Sequence, residues 1–167
     1  METEWKTEIR EYWDMVKEDA KWDFPNADAE LFLASIWKAS SEDLEGMEVQ
    51  VVIDKNNNIF ISSGTPSFVS FMNHEEELNE QKMCLPIKCW IHTHPFGEAY
   101  FSSTDWGTIN TWRTVMEYAV VLGNLQYYAY KISEDMGKKI YFDENGDTKD
   151  IFFYDSSIKT IDTGEEE

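Results

Sequence analysis

The chain has 167 residues, 42% of them hydrophobic and 15% aromatic, which is enough apolar surface for one buried core and short for two independent domains. Its formal net charge of −19 disfavours binding to nucleic acid or to anionic membranes, because both carry negative charge. The chain has only two cysteines, and its charged N-terminus lacks a signal-peptide pattern. Its apolar runs are far shorter than the about 20 residues that span a bilayer. These features favour a cytoplasmic protein. We expect one domain over residues 1–155, followed by an acidic, flexible tail over 156–167.

Two elements are predicted in the first 40 residues. Apolar side chains recur every three to four positions from Glu4 to about Ala20, with charged residues between them, which is typical of an amphipathic helix. The Pro25-Asn26 pair breaks this pattern. The apolar run from Leu31 to Trp37 then predicts a buried strand, with Glu30 at its beginning.

A hairpin and an irregular segment follow. Residues 47–54 alternate loosely between apolar and polar, residues 55–58 supply turn-forming side chains, and residues 59–61 are apolar again, so a β-hairpin is predicted. Residues 64–83 are polar and irregular, and we expect an insertion or flap there.

The next predicted strand ends in histidines. Residues 86–93 alternate so that His92 and His94 share one face of the strand. Ser102 or Ser103 can cap a helix that ends before Gly123. Three further strands are predicted in the second half of the chain, over 118–122, 126–132 and 139–142.

The candidate site spans the histidine strand and this helix. His92 and His94 are followed by Pro95, six residues, Ser102, two residues and Asp105. Histidines two positions apart on a strand point to the same side, so both can bind one metal ion at about 2.0–2.1 Å. Asp105 can add a carboxylate as the third ligand, which leaves one position for a water whose pKa zinc lowers towards about 7. Such a site is catalytic in type.

The same residues also have structural explanations. Ser102 to Asp105 has the pattern of a capping box, in which serine and aspartate bond each other's backbone at a helix start. A single histidine is more often a packed or solvated residue than a metal ligand. The conjunction of all these residues at this spacing favours the metal site, and helix capping can coexist with metal binding.

The pattern His-x-His-Pro, six residues, Ser, two residues, Asp resembles the signature of the JAMM (MPN-plus) zinc metallopeptidases, which include deubiquitinating isopeptidases and prokaryotic relatives. All five positions match, at His92, His94, Pro95, Ser102 and Asp105. The resemblance implies a zinc ion held by the two histidines and the aspartate, with the serine stabilising an oxyanion. It also implies an α/β (α+β) MPN domain of cytidine-deaminase-like fold, with a central mixed, mostly antiparallel sheet flanked by helices.

The family also uses an upstream glutamate as its general acid and base. Glu30 is the preferred candidate, because the family's glutamate begins the strand that follows the first helix. Glu48, which begins a strand of the hairpin, and Glu45 remain alternatives.

By resemblance, the expected activity is zinc-dependent hydrolysis of an amide or isopeptide bond, on a protein substrate such as a ubiquitin-like or sulfur-carrier-type protein. Two alternatives stay open. One is a JAMM-type endopeptidase that acts on another polypeptide, for instance a phage or viral assembly protein. The other is a non-catalytic MPN scaffold, which the intact metal-ligand pattern disfavours.

Overall fold

A computed structural model describes residues 3–22, 26–64 and 83–154. Its helices and strands, in chain order, are α1 (Glu4–Val16), α2 (Ala27–Lys38), β1 (Val49–Asp54), β2 (Ile59–Ser63), β3 (Ile87–Thr93), α3 (Ser103–Thr111), β4 (Met116–Gly123), β5 (Gln126–Lys131), β6 (Met136–Phe142) and β7 (Thr148–Tyr154). A π-helical turn over Ala39–Asp43 extends α2, and two short 3-10 turns flank β4 and β5.

All seven described strands form one sheet in the order β2-β1-β3-β4-β5-β6-β7. Every neighbouring pair is antiparallel except β3 and β4, which run parallel. The chain must therefore cross the sheet between these two strands, and α3 lies in that crossover. The expected mixed, mostly antiparallel sheet with flanking helices is confirmed.

The two faces of the sheet bury different helices. The face covered by α1 and α2 carries a core built from helix residues and from one set of alternating strand residues, including Ile9, Trp13, Phe32, Ile36, Val51, Ile91, Val120 and Tyr127. The opposite face packs against α3 and the loop before it, and its core includes Val52, Trp90, Phe101, Trp106, Ile109, Val121 and Tyr128. Because neighbouring residues of a strand point to opposite faces, each functional side chain on the sheet can be assigned to one side.

The prediction of a strand over Leu31 to Trp37 is wrong, since these residues belong to α2. The Asn26 side chain caps this helix by accepting a hydrogen bond of 2.8 Å from the Ala29 backbone N–H. Acidic residues in the first turn favour a helix start further, because they face the positive end of the helix dipole. A short apolar run does not distinguish a buried strand from a helix that is buried on a wide face.

Strand β7 was not predicted, although it pairs with β6 along its length. The predicted helix after Ser102 was also too long, because α3 ends at Thr111 and Met116 already begins β4. The expected tail over 156–167 and nearly all of the expected flap over 64–83 lie outside the described residues. Within the described part of the chain, no helix is long and apolar enough to cross a bilayer.

Candidate metal centre

Strand β3 places His92 on the face that packs against α3. His92 pairs with Gln50 of β1 on one side and with Val121 of β4 on the other. The His92 ring stacks on Trp90, with centroids 4.7 Å apart. The Trp90 indole N–H donates a hydrogen bond of 2.6 Å to Oε1 of Gln50. The stacked Trp90 ring, itself held by Gln50, thus restricts the orientation of the His92 imidazole.

His94 follows the end of β3, and the backbone holds it close to the sheet. Its N–H donates to the Leu122 carbonyl at 2.8 Å. On the side chain, Nδ1 lies 3.4 Å from the Glu98 carbonyl and the ring meets Tyr100 edge-on at 4.9 Å. When Nδ1 donates to this carbonyl, the lone pair of Nε2 is left for another partner.

Asp105 comes from the first turn of α3, and a capping box fixes it there. The Ser102 Oγ accepts from the Asp105 N–H at 3.1 Å, and the Ser102 N–H donates to Oδ2 of Asp105 at 3.0 Å. The predicted cap is therefore confirmed. Because Ser102 Oγ uses a lone pair in this bond, its hydroxyl proton can be donated elsewhere.

The three predicted ligands meet at one point. Oδ2 of Asp105 lies 2.9 Å from Nε2 of His92 and 3.5 Å from Nε2 of His94. Two ligand atoms about 2.0–2.1 Å from a tetrahedral ion are about 3.3 Å apart, so these separations fit one shared ion. Their side chains are only 7%, 15% and 13% exposed for His92, His94 and Asp105 respectively. This group could hold a metal ion.

Charge within this group favours an ionised carboxylate. Burial opposes ionisation of Asp105, but the charge of His92 and hydrogen bonds from both histidines and from the Ser102 backbone hold its pKa well below the ordinary value. Burial also opposes the charged form of His94, yet Asp105 and, to a smaller extent, Glu48 raise the pKa of His94 above 6.5. The raised pKa of His94 means that this group favours a positive charge, as a metal site does.

The structure does not bring Glu30, the preferred general base, to this group. Glu30 lies in the first turn of α2 and accepts a hydrogen bond of 2.9 Å from the Tyr127 hydroxyl. Tyr127 belongs to the core on the face of α1 and α2, whereas its neighbour Tyr128 faces the side of His92. The sheet therefore separates Glu30 from the three candidate ligands.

Glu48 is on the correct side. It precedes β1, two positions before Gln50, and residues two apart on an extended chain point the same way. Gln50 pairs directly with His92, and the charge of Glu48 acts on His94. Glu48 therefore replaces Glu30 as our candidate base. The sequence shows that Glu48 alternates with Gln50 in the predicted hairpin, but only the pairing of β1 with β3 places that face beside His92.

An exposed aromatic residue near the group was not singled out from the sequence. Phe96, two residues after His94, is 87% exposed. Its ring covers Gly46, which has a φ of 96°, so that a Cβ there would overlap the ring. Nothing in the sequence distinguishes this loop phenylalanine from a buried one.

Comparison with protein-family models and with curated proteins finds no match to this chain.

Proposed function

We propose that this chain is a zinc-dependent metallopeptidase of the JAMM type, which hydrolyses an amide or isopeptide bond in a protein substrate. The convergence of His92, His94 and Asp105 within 4.8 Å of one another carries the proposal. Their spacing in the chain, with Pro95 and Ser102, is the spacing that resembles the family signature.

The donor set supports zinc as the metal. Two imidazole nitrogens and one carboxylate oxygen suit zinc better than magnesium or calcium, which favour oxygen ligands alone. When bound, zinc acts as a Lewis acid that polarises a carbonyl group and makes water nucleophilic near neutral pH. Three protein ligands, rather than four, are typical of a catalytic zinc site.

Glu48 is the proposed general base and acid. Hydrolysis of an amide needs one group that takes a proton from the attacking water and delivers a proton to the departing amine. A carboxylate beside the ligands can do both. Glu48 lies on the face of His92 and acts electrostatically on His94, which supports this role.

Ser102 is the proposed oxyanion donor. Its Oγ is held by the Asp105 N–H, so the direction of the hydroxyl is restricted before a substrate arrives. A preorganised donor of this kind stabilises charge that develops mainly in the transition state. The helix cap therefore also serves the chemistry, because it fixes a metal ligand and the oxyanion donor through one pair of hydrogen bonds.

A ubiquitin-like or sulfur-carrier-type protein is the proposed substrate class. Strand β2 is the end strand of the described sheet on the side of β1 and β3. An extended C-terminal tail can add to such an edge through backbone hydrogen bonds. The net charge of −19 favours a tail that carries basic residues.

The test is a cleavage panel with zinc-loaded protein. Linear fusions and isopeptide conjugates of several ubiquitin-like and sulfur-carrier proteins are incubated with the parent and with a His92→Ala, His94→Ala double variant. We expect cleavage after the terminal glycine of at least one modifier, its loss with a chelator, and its recovery with zinc. Zinc binding without cleavage of any modifier, but with cleavage of an unrelated polypeptide, would favour an endopeptidase. Absence of both zinc and cleavage would favour a scaffold.

A further inference from the structure

A cleft lies on the α1 and α2 side of the sheet, away from the candidate metal centre. It has a volume of about 410 Å³ and lies between α2 and the hairpin of β4 and β5. Pockets that bind ligands have volumes of about 300–1,000 Å³. Most of its lining is apolar, from Leu31, Leu33, Trp37, Leu122, Leu125 and Phe142.

Two partly exposed leucines, one from α2 and one from the hairpin turn, lie at the edges of this cleft. Leu31 of α2 is 41% exposed and Leu125 of the hairpin turn is 44% exposed. Leu125 also has a φ of 57°, in the left-handed region where asparagine or glycine is the usual residue. A two-residue turn thus carries a large apolar residue in an unfavourable backbone conformation, and this residue remains partly exposed to water. The presence of leucine at this position is explained if its side chain contacts a partner.

The charged groups at the cleft are acidic. Glu30 lines it, and its carboxylate accepts the Tyr127 hydroxyl hydrogen bond. Gly146 also lines the cleft, and its turn carries Asp143, Glu144 and Asp147. No lysine or arginine is among the described residues that line the cleft. An apolar floor with acidic groups around it is complementary to an apolar group beside a cation.

We propose that this cleft binds a peptide segment of a partner protein in which a large apolar side chain is adjacent to lysine or arginine. The apolar side chain lies between Leu31 and Leu125, and the cation faces Glu30 and the acidic turn. The volume accommodates one or two large side chains rather than a folded surface, which favours a peptide. This site goes beyond the proposed hydrolase and does not depend on it.

The cleft adjoins the loop that follows His94. The Asn124 N–H of the same hairpin donates to the Gly97 carbonyl at 3.2 Å, and Gln126 Oε1 accepts from the Ala99 N–H at 2.9 Å. A bound segment would therefore lie behind the metal-binding loop, on the other side of the hairpin. The binding test is made in chelator, so that the metal centre does not contribute.

The probe is a random linear dodecapeptide display library, selected on the full chain. Selected sequences are synthesised with a fluorophore, and their Kd values are measured by fluorescence polarisation. Leu125→Asn removes one of the two leucine side chains at the edge of the cleft. Asparagine tolerates the left-handed backbone conformation, so we expect this variant to fold at least as well as the parent. Glu30→Gln removes the charge but still accepts the Tyr127 hydrogen bond. Met15→Gln and Glu18→Gln, exposed positions on or just after α1, are the matched controls.

We expect selected peptides to combine a large apolar residue with lysine or arginine. Leu125→Asn and Glu30→Gln should each weaken binding at least tenfold, while the two controls leave it within twofold. Peptides that respond to Leu125→Asn but not to Glu30→Gln would overturn the cationic class. Selection of no peptide, or only of peptides that bind every variant equally, would overturn the site.

Discussion

Replacing Glu48 with glutamine removes one carboxylate and leaves the side-chain shape almost unchanged. Glu48 is not one of the three candidate ligands, so the variant should bind as much zinc per chain as the parent. It should lose the proton transfers on which amide hydrolysis depends. Glu30→Gln is the matched control, because Glu30 faces the other side of the sheet and glutamine can still accept the Tyr127 hydrogen bond.

The expected magnitude follows from these positions. A positioned general base contributes about 100- to 10,000-fold to a rate, so Glu48→Gln should lower kcat by that factor. Glu30→Gln should change kcat by less than about threefold, because no step of the chemistry passes through its face of the sheet. The assay measures kcat on the best substrate of the cleavage panel, with the zinc content of each preparation measured beside it.

A second readout does not need turnover. Burial lowers the pKa of His94, while Asp105 and Glu48 raise it, so removing the charge of Glu48 should lower this pKa in the metal-free protein. NMR titration of the His94 ring measures the change, and Glu30→Gln should produce none. Glu48 is not the general base if Glu48→Gln retains activity within about tenfold of the parent, or if Glu30→Gln is the variant that loses activity.

Three further outcomes are expected. Ser102→Gly and Ser102→Ala should both lower kcat about 100-fold or more, because both remove the oxyanion donor. Only the alanine variant should lose about 1 kcal/mol of stability in urea unfolding, because glycine is tolerated as a helix cap. Equal activity in the parent and both variants would show that Ser102 has no part in the mechanism. In the metal-free protein, the raised pKa of His94 adds stability that is fully present below pH 6.5 and is lost as the pH rises through the folded-state pKa. The lowered pKa of Asp105 adds stability that is present above pH 3.8 and is lost as the pH falls through its folded-state pKa. Because zinc must displace the His94 proton, one equivalent of zinc should raise Tm much more at pH 8 than at pH 5, and a shift independent of pH would contradict this assignment. Gly46→Ala should cost about 1–2 kcal/mol in urea unfolding, because its φ of 96° is unfavourable for alanine; most of this cost should persist beside Phe96→Ala, since the exposed ring can move.

The hairpin and the histidine strand could be predicted because their side chains alternate with a period of two, although both faces of these strands are buried. Val51 and Ile91 lie in one core, while Val52 and Trp90 lie in the other. The start of α3 was also predictable, since a capping box is encoded within four residues. These features depend on neighbours in the chain, which a sequence displays directly.

The position of the glutamate could not be predicted in the same way. The choice of Glu30 depended on a strand at Leu31 to Trp37, and that segment is helical because Asn26 caps it and its long apolar side chains pack under α1. Which face of the sheet a helix covers is set by tertiary packing rather than by local pattern. Strand β7 was missed for a related reason, since Ile151 and Phe152 are exposed residues of an end strand and lack a buried face.

The most direct test of the metal centre is the zinc content of protein purified without chelator, measured by elemental analysis beside the His92→Ala, His94→Ala double variant. We predict close to one zinc per chain in the parent and none in the double variant, with both proteins folded by circular dichroism. Zinc in neither protein, or equal zinc in both, would contradict the assignment of His92, His94 and Asp105 as its ligands.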